Sequence, residues 1–307
     1  MITHRYACYL SIDLEDYKHA TMLDMGLRPL TNPEQTWRGV NRILSVLRGT
    51  DSHPNLTLFA TGQMARDQPD LVMEMSRLGH EIACHGDQHE NVFRLDRMEF
   101  LNNVRRAKAS LEDACGQQVV GFRAPNFSID DRSPWACATL AEAGLIYDSS
   151  LAASTARTNT DAYDVLNLSR HQLYEFPIYR RKITETSGIR VIGGTYFRVL
   201  PLPVILALMK ESVEMGYVPL IYLHAADSDD RPSPVSWREM SGLSRLSRSG
   251  WVVRQTQWLL RAKTVPGKLL ALLKIFPHLG PMRAALPLQG FPEKKVMAAR
   301  PRPPSAG

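Results

Sequence analysis

Three features of the sequence predict an α/β fold of parallel strands joined by crossover helices. Short runs of β-formers alternate with amphipathic helical segments from residue 6 to residue 224. Glycine closes one helical segment after another, at Gly79, Gly116, Gly144 and Gly216. Asp13, His85, Arg123, Asp148 and His224 each follow the C-terminal end of a predicted strand. In a barrel of parallel strands, that end carries the chemistry.

The elements follow in order. Residues 6–12 are rich in β-formers and run into Asp13-Leu14-Glu15-Asp16, so a buried strand delivers carboxylates at its end, with Asp13 and Glu15 on one face if it continues. Residues 35–48 place Trp37, Val40, Ile43, Leu44 and Leu47 at helical spacing. A second strand is expected over 56–60, with Gly62 in the turn after it, and Pro69 opens a helix that Gly79 closes. A short strand over 80–84 precedes His85. The helix over 96–115 carries Phe100, Val104, Ala107 and Leu111 on one stripe. Strands are expected over 119–122, 145–147, 174–178 and 218–223, helices over 133–143 and 202–215, a loop over 152–172 and a tight turn over 193–197.

Length and composition suit a soluble enzyme: 307 residues, 44% hydrophobic and 22% charged. Cys8, Cys84, Cys115 and Cys137 are dispersed with no CxxC pair, which argues against a zinc ribbon or a disulfide framework and for a reducing compartment. The opening residues lack the pattern of a secretion signal and no segment has the length and apolarity of a bilayer span, so the expected location is cytoplasmic, at most peripheral to the inner membrane face. Charge is uneven. Residues 238–307 hold 13 basic and 2 acidic residues, a net of +11, while 1–237 hold 24 and 29, a net of −5.

His85 and His89 lie four residues apart, a spacing at which two imidazoles reach one metal ion from a helical turn or a tight loop. Two histidines and one carboxylate from the 13–16 cluster make the donor set of a catalytic Zn²⁺ site. Around it, Asp13 has the chemical type of a general base and His224 that of a general acid. Arg123 suits the orienting of a carboxylate and Asp148 the orienting of His224. Alone, each has a plainer reading as a cap, a surface ion pair or a backbone-bonded histidine. Their joint order carries the inference.

The Asp13–Asp16 segment, His85-Gly86-Asp87-Gln88-His89, Gly121-Phe122-Arg123-Ala124-Pro125, Tyr147-Asp148-Ser149-Ser150 and Tyr222-Leu223-His224 together resemble the NodB-homology polysaccharide deacetylases, carbohydrate esterase family 4. The resemblance covers roughly residues 6–226, and the Asp-Leu-Glu-Asp variant with Gly193–Arg198 is similar to a bacterial exopolysaccharide-associated branch. It implies an irregular (β/α) barrel and removal of an N-acetyl group from an amino sugar through a metal-activated water. By motif it implies Asp13 as base, His85 and His89 as metal ligands, Arg123 orienting the base, and His224 as acid, tuned by Asp148. The first motif departs from the commoner pair of adjacent aspartates, so the third ligand is Glu15 or Asp16, and strand alternation favours Glu15. Pro125 and Tyr196 are expected along the sugar groove.

The expected organisation is a catalytic barrel over 1–237, a basic helical extension over 238–286 and a disordered tail over 287–307. The Lys-flanked apolar segment 268–276 suits either an anionic membrane surface or packing on the barrel as a terminal helix. The expected substrate is an amino-sugar glycan or a lipid-linked sugar precursor. Hydrolysis of a formamide or ureido group is the alternative, and a non-catalytic carbohydrate-binding protein a weaker one. Nucleic acid is not an expected partner, since aromatic residues are not interleaved with the tail's charges in a stacking pattern.

Overall fold

The computed structural model describes residues 6–154, 173–182, 188–190 and 192–286. Its strands are β1 (Tyr9–Leu14), β2 (Thr57–Ala60), β3 (Glu81–Cys84), β4 (Gly121–Phe122), β5 (Tyr147–Asp148), β6 (Ala152–Ser154), β7 (Tyr174–Glu175), β8 (Ile178–Lys182), β9 (Gly188–Arg190) and β10 (Leu220–His224). Seven form one sheet in the order β10-β1-β2-β3-β4-β5-β7, parallel at every pairing, and β6-β8-β9 form a second. The large sheet curls into an irregular, open (β/α) barrel with β10 and β7 at its edges. The strand expected over 174–178 is divided between the two sheets, and the first residues of the expected 152–172 loop form β6. The rest of that loop, and the tail 287–307, lie outside the described residues.

Period-two alternation sorts the side chains. Leu10, Ile12 and Leu14 of β1, Leu58 of β2, Ile82 of β3 and Ile221 and Leu223 of β10 join the main core beneath the helices. The opposite faces supply Tyr9, Phe59, Ala83, Leu220 and Tyr222 to an inner cluster. Asp13 and His224 stand opposite one another in the β1–β10 register, so the same alternation carries both toward the barrel interior.

The helices start and stop for identifiable reasons. The first, α1 (Tyr17–Asp24), is capped by Asp16, whose carboxylate accepts from the Lys18 and His19 N–H groups. Asn32 caps α2 (Pro33–Arg48), which buries Val40, Ile43, Leu44 and Leu47. A short α3 (Gly62–Asp67) occupies the expected turn, capped by Thr61, and α4 (Pro69–Arg77) follows it. A capping box of Asp96 and Glu99 opens α5 (Arg97–Cys115). Beyond it lie α6 (Ala136–Glu142), α7 (Gly194–Val199), where a turn is expected, α8 (Leu202–Glu214), α9 (Arg245–Leu259) and α10 (Val265–Leu273).

The C-terminal extension is built into the barrel. Leu269, Leu272, Leu273 and Phe276 are buried in the main core, so the apolar face that suited a membrane surface is already covered by the protein. No helix among the described residues is long and apolar enough to cross a membrane. Trp251 packs with Met22, Met25, Val235 and Met240, and the Arg254 guanidinium lies 5.1 Å from the Trp251 ring centroid and 4.8 Å from that of Trp258. Aromatic and basic residues of the extension are therefore interleaved after all, because the helical spacing of 251, 254 and 258 stacks them.

His278 ties this segment to β1. Its Nδ1 accepts the Leu10 N–H at 3.0 Å and its Nε2 lies 2.9 Å from the Asn55 carbonyl oxygen, an arrangement that requires the neutral Nε2–H tautomer. Burial pushes His278 down to about 4, and burial with the Arg48 charge does the same to His80. The unfolded chain takes up these protons near pH ~6.5, before the fold does, so stability present above that pH is lost as pH falls toward about 4. The midpoint of urea unfolding is expected to drop through this window, and less steeply in His278→Gln. Superimposable pH profiles for the two proteins would contradict the assignment.

Candidate active site and metal centre

The sheet delivers the site residues at one end. Asp13 lies at the interior face of β1, and Glu15 follows two residues later. His85 succeeds the last residue of β3, and its backbone N–H donates to the Ala60 carbonyl oxygen across β2. The chain then turns tightly rather than helically: Gly86 has φ +76° and His89 φ +63°. A non-glycine residue in that region costs about 1–2 kcal/mol and persists only where its surroundings over-determine it. Here they do. Buried Asp87 pairs with Arg66 at 2.8 Å and Arg106 at 2.7 Å, its N–H donates to Asn103 Oδ1, and the Gly86 and Asp87 carbonyls accept from the start of α3. The two imidazole centroids are consequently 5.2 Å apart. Asp87 was missed from sequence, although its place between the two histidines was the available signal.

Glu15, His85 and His89 each offer a ligand atom within 4.8 Å of the other two, the one such group of three among the described residues. His85 Nδ1 lies 2.8 Å from the Arg123 carbonyl oxygen; donation there leaves Nε2 with its lone pair free. Glu15 Oε2 lies 2.7 Å from His89 Nε2 yet is buried without a hydrogen bond of acceptable geometry. With His89 neutral and Nε2 unprotonated, its lone pair and the Glu15 carboxylate oxygen face the same space as the free His85 Nε2. Two nitrogens and one carboxylate oxygen form the donor set of a catalytic divalent ion.

Beside this cluster, Arg123 Nη1 donates to Asp13 Oδ1 at 2.6 Å and to Ser11 Oγ at 2.9 Å, with its guanidinium 4.0 Å from the Phe59 ring centroid. Arg123 is fully buried and Asp13 nearly so. Burial pushes the Asp13 carboxyl up, but the charges of Arg123, His85 and His224 outweigh it and hold the group below the usual range. His224 Nε2 faces the same space, 4.0 Å from Asp13 Oδ2 and 3.7 Å from Glu15 Oε1. A buried carboxylate, an imidazole and three side chains that could hold a metal ion are thus assembled at one end of the sheet.

Several expectations need correction. Asp16 turns away from the cluster: its oxygens accept from the N–H groups of Lys18, His19 and Asn32 and from Gln68 Nε2, because a residue just before a helix satisfies the helix first. Asp148 does not reach His224. Its Oδ1 accepts from Ser150 Oγ at 2.5 Å, and that oxygen accepts from the Ala124 N–H. Asp148 also stands opposite Glu175 in the β5–β7 register, where burial pushes both carboxyls up. The carboxylate on His224 is Asp227, 3.0 Å from Nδ1. Pro125 is buried against the 85–89 loop rather than facing a groove, while Tyr196 is exposed.

Comparison with known proteins bears on the family. Residues 33–146 match the model for polysaccharide deacetylase, and residues 152–276 match a domain of unknown function, DUF3473. A peptidoglycan deacetylase-like protein of Gibberella zeae is 30% identical over 119 residues, covering 39% of this chain and 34% of that protein. A chitooligosaccharide deacetylase of a Bradyrhizobium species is 29% identical over 122 residues, 40% of this chain and 50% of the relative. The chain therefore spans half or less of the length of the curated relatives it matches. Among solved structures, a family 4 carbohydrate esterase from Streptomyces lividans aligns with TM-score 0.44 and 13% identity over 89% of this chain and 91% of that one. The Bc1960 peptidoglycan N-acetylglucosamine deacetylase aligns with TM-score 0.48 and 12% identity over 92% and 89%. With the deacetylase match running from α2 to the residue before β5, and with chitooligosaccharide deacetylases from two bacteria among its relatives, the chain is similar over that stretch to the NodB-homology polysaccharide deacetylases, carbohydrate esterase family 4.

Proposed function

We propose that the protein is a metal-dependent hydrolase that removes an N-acetyl group from an amino sugar of a glycan. The observation that carries this reading is the convergence of Glu15, His85 and His89 within 4.8 Å, with Asp13 and His224 alongside. Glu15, His85 and His89 would hold a divalent ion, Zn²⁺ by the character of the donors. Such an ion, when bound, supplies Lewis acidity for the carbonyl oxygen and makes water a better nucleophile at neutral pH.

The chain's own residues do the rest. Asp13, ionised and held by Arg123, takes the proton of the attacking water as its oxygen bonds to the acetamide carbon. His224, holding Nδ1–H on Asp227 and carrying a second proton on Nε2 for this step, gives the Nε2 proton to the amine nitrogen as the carbon–nitrogen bond breaks. Solvent then takes the proton left on Asp13 and returns one to His224 Nε2. Acetate and a free amino sugar leave. Arg123 keeps the Asp13 carboxylate in one orientation, which matters because a base must lie within hydrogen-bond reach of the proton it removes.

The test is acetate release by zinc-loaded protein from N-acetylated chito-oligosaccharides, with formate release from N-formyl analogues measured in parallel. Acetate with an equal amount of new amine is expected. A protein holding one zinc per chain that released only formate, or neither acid across the panel, would contradict the proposal.

A further inference from the structure

We propose that Asp227 and Arg198, both within the 152–276 segment of unknown function, are positioning residues that fix the ring and tautomer of His224, so that this segment supplies the proton-donating half of the site. The inference rests on the acid role given to His224 above. It gives the segment a catalytic purpose and assigns to Asp227 what the sequence assigned to Asp148.

The geometry starts at the end of β10. A single 3-10 turn over residues 225–228 brings Asp227 back onto His224, where Asp227 Oδ2 accepts both the His224 backbone N–H at 2.7 Å and the ring Nδ1–H at 3.0 Å. One oxygen thus fixes main chain and ring together. With Nδ1 committed as a donor, Nε2 is the atom left facing Asp13 and Glu15.

A buried carboxylate needs its own partner. Asp227 Oδ1 has one in Arg198 Nη1, and both side chains are almost wholly buried. Arg198 also donates through Nη2 to Thr195 Oγ1 at 2.9 Å. The Gly193-Gly194 pair explains how α7 comes so near. A Cβ on Gly193 would lie 2.1 Å from the Tyr222 ring, and Gly194 has φ +50° with its Cβ position 3.6 Å from His224 Cε1. Lys268 of α10 then clamps the end of α7, donating to the carbonyl oxygens of Phe197, Arg198 and Leu200. The path runs from Lys268 through α7 to Arg198, Asp227 and the reactive ring, and every member lies in the segment 152–276.

Selective ¹⁵N-histidine NMR at about pH 8, where an ordinary histidine is neutral, reads the tautomer directly, with the His224 signals assigned through His224→Gln. The native protein is expected to show protonated Nδ1 and bare Nε2 at His224. Asp227→Asn is expected to mix the tautomers and to lower kcat about 10- to 100-fold with KM within about twofold. Asp227→Glu should recover part of kcat, and Arg198→Met should shift tautomer and kcat in the same direction as Asp227→Asn, with Arg198→Lys between it and the native protein. Asp148→Asn is expected to leave the His224 tautomer as in the native protein. Urea unfolding midpoints identify any variant that has merely lost its fold, and Asp227→Glu keeps the test open if Asp227→Asn is one.

An unchanged tautomer in folded Asp227→Asn, or a shift produced by Asp148→Asn instead, would overturn the inference. A native protein that released no acetate while its His224 tautomer still followed Asp227 would sink the deacetylase reading and support the positioning role.

Discussion

Asp13→Asn is expected to lower kcat for acetate release by about 10³-fold while leaving zinc content unchanged. The substitution is isosteric, so the loss isolates the basic oxygen. Asp13 is not among the converging ligand atoms, and its Oδ1 is taken by Arg123 at 2.6 Å, which leaves Oδ2 to act on the attacking water. An amide at this position retains a hydrogen-bond acceptor for Arg123 but has no basic lone pair of comparable strength. Stability should also fall, because a fully buried guanidinium loses its counter-charge; breaking such a pair typically costs about 3–5 kcal/mol. The Ser11 hydroxyl, the Ser149 hydroxyl and the Ser149 carbonyl oxygen remain as partners of Arg123 and lessen that cost. Acetate release, metal analysis and urea unfolding on one preparation separate the effects. A variant that kept the native rate would remove Asp13 from the reaction.

The adjacent carboxylates should separate just as sharply. Glu15→Gln is expected to weaken zinc binding by more than about 10²-fold and to lose activity with the metal, since it removes one of three ligands and the only negative charge among them. Asp16→Asn is expected to retain zinc and most of its activity and to cost about 1 kcal/mol, the usual worth of a helix N-cap. Burial pushes the Glu15 carboxyl up, but His89, then His224 and His85, more than offset it and hold the group below the ordinary range. Burial pushes Asp16 up despite its backbone donors. Two adjacent carboxylates thus face different environments, because both follow the end of β1 but Asp16 is taken up as the cap of α1 while Glu15 faces the histidines. Equal metal loss in both variants would show that the cluster is not read correctly.

Why the sequence revealed the site's members better than their partners follows from the physics of each. Strand alternation is local and periodic, so the inward face of Asp13, and the barrel end at which His85, Arg123 and His224 gather, are legible in the sequence, whereas β1 stops at Leu14 and does not carry the alternation through Glu15. A Pro start and a Gly stop marked α4 within a residue or two, and a Gly stop marked the end of α5. By contrast, α9 buries only Gln255, so it offers no apolar stripe to detect. α1 is short, and its cap Asp16 resembled a ligand because it sits beside Glu15. The partner of His224 was misassigned for a similar reason. Asp148 occupies a strand end, as the chemically important residues do, whereas Asp227 reaches His224 through a 3-10 turn that no periodicity encodes. The extension's apolar residues were visible, but only packing decides whether such a face meets lipid or core.

Anomalous diffraction from zinc-loaded crystals, measured on either side of the zinc absorption edge, tests the central claim most directly. One peak is predicted, bounded by a Glu15 carboxylate oxygen, His85 Nε2 and a His89 ring nitrogen, with Asp13 and His224 beside it and Asp16 still capping α1. A peak bound by Asp16 in place of Glu15, or zinc bound stoichiometrically elsewhere in the protein, would contradict it.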